Sequence, residues 1–92
     1  MDTKIITTRD LASAIRGRRF ALGLTQADVA SRVGVSRPWL SQIEAGKPTA
    51  NIGLVIRLLD ALGLQLEVTD RPPRADDSTT DLDAHLDEYN NR

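Results

Sequence analysis

Ninety-two residues suffice for one domain and not two, and a chain this short buries only about 60 to 65% of its extended surface on folding. It has no cysteine, so neither a disulfide nor a thiolate metal site can staple the small core, which leaves a partner subunit as the stabilising device. The net charge of -1 argues at first sight against a nucleic-acid binder, but it sums two unlike segments: residues 1–69 hold nine Lys and Arg against six Asp and Glu, or +3, and residues 70–92 hold three against seven, or -4.

No apolar run approaches the roughly 20 residues needed to span a bilayer, and the N-terminus has no signal-peptide h-region. The expectation is a soluble, cytoplasmic and nucleoid-associated protein with no membrane partner. Residues 1–8 form a short lead in which Lys4-Ile5-Ile6-Thr7 has a few residues of strand pattern. Thr7 or Thr8 is placed to cap a first helix, and Asp10 falls in its first turn, where the helix dipole favours negative charge. Leu11, Ile15 and Arg19 then follow at four-residue spacing, flanked by Ala12 and Leu22, so the apolar stripe ends in an arginine aimed at the core. Gly17 costs about 1 kcal/mol relative to alanine inside a helix, which marks either close approach of another backbone or nothing in particular.

Gly23 suits a left-handed stop after Leu22. Thr25 caps a second helix, Asp28 completes an approximate capping box, and Val29, Ala30 and Val33 supply the buried face. The break Arg32-Val33-Gly34-Val35 has the length and the glycine of a turn that sets two helices at a steep angle. Ser36 caps the third helix, about Arg37 to Ala45, with Pro38 in the first turn where a missing N–H does no harm. Leu40 and Ile43 point inward; Arg37, Pro38, Ser41 and Gln42 lie on the opposite side. Gly46 ends this helix, and a fourth, about Ala50 to Leu62, offers a wide apolar surface of Ile52, Val55, Ile56, Leu58, Leu59 and Leu62. That surface exceeds what one small core requires.

Residues 64–69, Leu64-Gln65-Leu66-Glu67-Val68-Thr69, alternate apolar and polar, the period of a half-buried strand. A lone strand cannot satisfy its backbone, so Leu64, Leu66 and Val68 must face either the same strand of a second subunit or the lead at Ile5. From residue 70 the chain turns acidic and proline-bearing, which reads as a flexible tail. Within it Leu82, Leu86 and Tyr89 recur at helical spacing behind a possible cap at Thr80, consistent with either a docking segment or a solubilising tail.

The second and third helices together form a helix-turn-helix pattern. A recognition helix needs donors and acceptors that can meet base edges in the major groove, and Arg37, Ser41 and Gln42 provide them. Arginine suits guanine and glutamine suits adenine, each worth about 1 to 3 kcal/mol of discrimination. The plainer alternative is a solvent-facing polar side of a small bundle. Gln26 is placed to anchor a phosphate with the N–H groups that open its helix, with Ser36, Arg32 and Lys47 holding the flanking backbone. Trp39, half buried beside Leu40, has its N–H free for a phosphate or a base, or serves packing alone. Glu44 near a helix C-terminus is disfavoured by roughly 0.3 to 1 kcal/mol and calls for a cationic partner, for which Arg19 is the candidate; the alternative is two unrelated exposed charges.

No catalytic constellation is present. The single histidine, His85, lies in the acidic tail, no Cys/His cluster can hold zinc, and no glycine-rich phosphate loop follows a strand. The carboxylates of Asp76 and Asp77 read as solvating. The expectation is a protein that is not an enzyme and uses no cofactor.

The stretch LASAIRGRRFALGLTQADVASRVGVSRPWLSQIEAGKPTANIGLVIRLLDALGL, within residues 9–64, resembles the lambdoid-repressor, or Xre-type, helix-turn-helix family. The residues that carry the resemblance are Arg19 with Gly23, Leu24-Thr25-Gln26 opening the second helix, Ser36 opening the third, and Ile43-Glu44-Ala45-Gly46-Lys47 ending it. It implies a phosphate contact at Gln26, a pair between Arg19 and Glu44, and base-facing positions at Arg37, Pro38, Ser41 and Gln42. Pro38 stands where the family carries a polar residue, and Arg18 where it commonly carries an apolar one. The single strand after the bundle and the acidic tail look like the HipB subgroup, antitoxins that also repress their own operon. That likeness implies a strand pairing across a dimer as a small lid, and a HipA-type serine/threonine kinase toxin as partner. The expected architecture is an all-α, lambda-repressor-like bundle of four to five helices over residues 9–63, a dimerisation strand over 64–69 and a tail over 70–92. The expected function is repression by a homodimer bound to a palindromic double-stranded operator. A stand-alone regulator, or a protein-interaction adaptor on the same fold, are the alternatives.

Overall fold

The computed structural model describes residues 4–71. The proposed cap at Thr80, the stripe of Leu82, Leu86 and Tyr89, and His85 lie outside the described residues. Four helices form, α1 Thr8–Ala21, α2 Gln26–Val33, α3 Arg37–Glu44 and α4 Ile52–Ala61, with α3 packed on both α1 and α2, and α4 on α2.

Each helix begins where a side chain can take up an orphan backbone donor. Thr7 accepts from the Asp10 N–H while the Asp10 carboxylate accepts from the Thr7 N–H, and Thr25 and Asp28 repeat the same reciprocal box at α2. Ser36 accepts from the Trp39 N–H at 3.1 Å, with Pro38 in the first turn. The fourth start differs from the sequence expectation: Asn51, not the Ala50 region, sets it, because its Oδ1 accepts from the Leu54 N–H at 3.2 Å and the helix opens at Ile52.

The core is one cluster of Ile15, Val29, Ala30, Val33, Leu40, Ile43, Val55, Leu58, Leu59 and Leu62, with Leu11, Leu24, Val35, Trp39 and Leu64 packed against it. Leu22, placed by its spacing beside the α1 stripe, is instead exposed at the α1 C-cap. The broad apolar surface of α4 divides: Val55, Leu58 and Leu59 are buried, while Ile52 and Ile56 face solvent. At Gly17 an added Cβ would meet nothing within 4 Å, so no backbone approach explains that residue.

The helix C-termini reveal a device that spacing does not show. Arg16 Nη1 donates to the Glu44 carbonyl at 2.9 Å and closes α3, Arg18 Nε donates to the Leu62 carbonyl at 2.8 Å and closes α4, and Arg57 Nη2 donates to the Val33 carbonyl and closes α2. Cationic donors at helix C-termini satisfy orphan carbonyls and complement the dipole. Arg18 therefore has a reason to stand at a place that is commonly apolar. Gly34, left-handed at φ +82°, also leaves room for this arrangement, since a Cβ there would come within 3.3 Å of the Arg57 guanidinium.

Residues 64–69 form no ladder among the described residues. Leu64 packs on the core, Leu66 and Val68 are exposed, and no backbone hydrogen bond joins this stretch to the lead at Ile5. In the lead, the Ile6 N–H donates to the Asp10 carboxylate at 2.9 Å.

Candidate nucleic-acid interface

The anchor of the site is a buried ion pair. Arg19 and Glu44 are 8% and 3% exposed, and the guanidinium meets the carboxylate through both forks, Nε to Oε2 at 2.9 Å and Nη2 to Oε1 at 2.8 Å. Nη1 adds a bond to the Leu24 carbonyl at 3.0 Å, and the Phe20 ring covers the guanidinium with its centroid 4.5 Å away. Hydrogen bonding to Glu44 is the main cause that holds the Arg19 pKa above its ordinary value, against the opposing effect of burial. Such a pair in a small core fixes geometry more than it adds stability, because desolvation consumes much of its attraction. Here it ties the end of α3 to α1 and to the loop that opens α2.

With α3 held from beneath, its outer face carries Arg37, Pro38, Ser41 and Gln42, all exposed. The sequence placed them on one side, and the fold does so too. Gln26 opens α2 half buried, with Nε2 3.4 Å from the Glu44 Oε1, and it shares a concavity with Thr25, Ala27 and Arg37. Helix α2 thus brings its N-terminal N–H groups and an amide next to the first residue of α3. At the other end of α3, Trp39, Gln42 and Lys47 line a second concavity with Thr49 and Asn51. Trp39 is partly buried and packed against the core, as its neighbours Leu40 and Ile43 required.

Ser36 spends its acceptor on the α3 cap and keeps its O–H as a donor. Arg32 stands apart: it is exposed near the end of α2, lines neither concavity, and helps lower the Asp28 pKa, whose chief cause is the backbone bond from Thr25. The structure thus gathers Gln26, Ser36, Arg37, Pro38, Trp39, Ser41, Gln42 and Lys47 around α3 and leaves Arg32 to one side. The sequence reading missed the contact between Lys47 Nζ and Gln42 Oε1 at 3.1 Å. A lysine five residues beyond a glutamine, across a glycine stop, is the signal that could have found it.

A short helix stapled at both ends, presenting an exposed polar face beside the N-terminus of its predecessor, defines a helix-turn-helix module. Comparison with known proteins agrees: the model of the Helix-turn-helix domain family matches residues 10–71, and the chain belongs to that family. It is 35% identical over 68 residues, 74% of its length and 90% of the relative's, to an uncharacterised HTH-type transcriptional regulator, y4mF, of Sinorhizobium fredii. It is 40% identical over 53 residues, 58% of its length and 77% of the relative's, to another such regulator from Methanothermobacter thermautotrophicus. Among solved structures it resembles HipB in a HipB-O1-O2 complex, with a TM-score of 0.70 and 25% identity over 75% of this chain and all of the other. It also resembles a chain of a HipA-HipB-O2-O3 complex, with a TM-score of 0.72 and 24% identity over 77% of this chain and all of the other. The chain is a helix-turn-helix transcriptional regulator with the fold of HipB, as the sequence resemblance implied. No helix among the described residues is long and apolar enough to cross a membrane.

Proposed function

We propose that this chain is a sequence-specific repressor that binds a palindromic operator as a homodimer, and that it serves as the antitoxin of a HipA-type kinase toxin. The observation that carries the DNA reading is the α3 face of Arg37, Ser41 and Gln42 held rigid by the Arg19–Glu44 pair. Rigid presentation is what base readout needs, because discrimination depends on donors and acceptors fixed against base edges. Arg37 and Gln42 read bases, Ser41 and Pro38 shape the contact, and Gln26, Ser36, Trp39 and Lys47 hold phosphates on either side. Arg32 reaches only the outer backbone.

The dimer reading rests on the apolar residues left outside the core, Ile52 and Ile56 on α4 and Leu66 and Val68 beyond it. A second copy that covers them would supply the strand partner that residues 64–69 lack, and would set two recognition helices about 34 to 36 Å apart, one helical turn of DNA. The antitoxin reading draws on the fold shared with HipB chains, one of them in a complex with HipA. The relatives from Sinorhizobium fredii and Methanothermobacter thermautotrophicus, named only as regulators, favour a stand-alone repressor as the second reading.

The test is a mobility-shift titration on the DNA upstream of the chain's own reading frame, with Arg37→Ala and Gln42→Ala beside the wild type. Each loss of a base contact should weaken specific binding by about 1 to 3 kcal/mol and leave non-specific binding nearly unchanged. Equal binding by all three proteins would exclude α3 as the reading element. Sedimentation at micromolar concentration should show a dimer, and co-expression with a neighbouring kinase-like gene should give a co-purifying complex; failure of the second alone selects the stand-alone repressor.

A further inference from the structure

Helix α3 ends in a Schellman turn. The Lys47 N–H donates to the Gln42 carbonyl at 3.1 Å, the Gly46 N–H donates to the Ile43 carbonyl at 3.0 Å, and Gly46 is left-handed at φ +88°. This motif returns the chain so that the residue after the glycine lies over the third-last residue of the helix, and that pair is frequently apolar. Here the pair is Lys47 over Gln42, and the ammonium donates to Gln42 Oε1 at 3.1 Å. An ammonium has three donors and no acceptor, so it can face only the carbonyl oxygen of the amide. The orientation of Gln42 follows from that chemistry: its NH2 group is turned away from Lys47 and has no hydrogen-bond partner among the described residues.

We propose that Lys47 is a specificity-determining residue, which shifts Gln42 from an adenine reader toward a donor that reads guanine or thymine. The inference rests on α3 lying in the major groove, as proposed above. A free glutamine matches adenine by donating to N7 while its oxygen accepts from the N6 amino group. With the ammonium seated on one lone pair of that oxygen, an incoming N6 amino group must use the other beside a competing donor of like sign. The outward NH2 meets no such conflict at guanine, which shows acceptors at N7 and O6, or at thymine O4. Exposed polar pairs are ordinarily loose, but here the Schellman turn brings the two backbones together and shortens the reach between the side chains. Lys47 retains two further N–H groups for a phosphate, so it serves both tasks at once.

Selection from a random-sequence duplex pool tests this, with the full-length wild type, Lys47→Met, Lys47→Arg and Gln42→Ala each carried through and the bound DNA sequenced. The Gln42→Ala protein identifies the base position read by that side chain, because preference there flattens. At that position the wild type should favour guanine or thymine, and Lys47→Met should raise adenine about tenfold relative to the wild type. Lys47→Arg, still a pure donor, should keep the wild-type preference. If Lys47→Met lowers enrichment evenly and leaves the preferred base unchanged, or if the wild type already selects adenine there, Lys47 is a phosphate contact only and the proposal fails. A Gln42→Ala motif identical to the wild type at every position would instead remove the base-reading role of Gln42, and the proposal with it.

Discussion

Replacing Glu44 by alanine probes the joint on which the recognition helix is mounted. The substitution removes the acceptors of Arg19 Nε and Nη2 and leaves the buried guanidinium with the Leu24 carbonyl alone. Breaking one side of a buried ion pair costs about 3 to 5 kcal/mol, whereas replacing both partners by apolar residues of similar volume is often neutral. At roughly 0.05 to 0.15 kcal/mol per residue, the described chain of 68 residues has a total stability of about 3 to 10 kcal/mol. The single change therefore removes a third of it or more. In urea denaturation followed by circular dichroism, with a slope of about 1 kcal/mol per molar, the midpoint should fall by about 3 M or the protein should be unfolded without denaturant. Glu44→Gln, which keeps one acceptor, should lose only about 1.5 to 3 kcal/mol, and the pair Arg19→Met with Glu44→Leu should be more stable than Glu44→Ala. A loss below about 1 kcal/mol for Glu44→Ala, or a double variant that loses the sum of both singles, would refute the buried-pair argument.

Gly17→Ala should stabilise the protein by about 0.5 to 1 kcal/mol in the same assay, since the site is helical, exposed and open to a Cβ. Capping bonds lower the Asp10 and Asp28 pKa values below 3.8, chiefly through the backbone donors Ile6 and Thr25 respectively. A carboxyl with a depressed folded-state pKa contributes stability that is present above its unfolded pKa and lost as pH falls through the folded one. Urea midpoints should accordingly drop on acidification below about pH 4, and Asp10→Asn with Asp28→Asn should flatten that acid limb; an unchanged limb would refute the capping assignment. If Arg32, Arg37 and Lys47 of each subunit lie near the phosphates as proposed, a dimer should show a slope of log affinity against log salt of about -5; a slope near zero would refute that placement.

Most of the fold was legible because its punctuation is local. Thr7, Thr25 and Ser36 cap through their own side chains, and glycines at 23, 34, 46 and 63 stop helices through their own backbones, so a few neighbouring letters decide each boundary. The Arg19–Glu44 pair was legible for a different reason: an arginine on an apolar stripe and a glutamate at a helix C-terminus are each unfavourable alone and compatible together. What the sequence did not disclose are contacts that depend on three-dimensional approach. Arg16, Arg18 and Arg57 sit on faces that periodicity reads as solvated, and only the crossing of the helices brings their guanidinium groups to distant carbonyls. The amide orientation of Gln42 escaped for the same reason, since the turn at Gly46 folds Lys47 back onto it.

These arginines change what the charge of the domain means. Nine basic residues in the first 69 suggested a surface that attracts DNA, yet Arg16, Arg18, Arg19 and Arg57 are committed to carbonyls or to Glu44 within the fold. Helices of eight to ten residues are too short to stand alone in water, where isolated helices below about 12 to 15 residues are marginal. Charge is therefore used first to hold α2, α3 and α4 together at their C-termini, and only the remainder is available to phosphates. Weak electrostatic attraction makes non-specific binding modest, so on the proposed dimer reading affinity comes from the geometry of α3 and from two such helices acting together. The arginines that look as though they serve DNA directly serve it by keeping an eight-residue helix in one place.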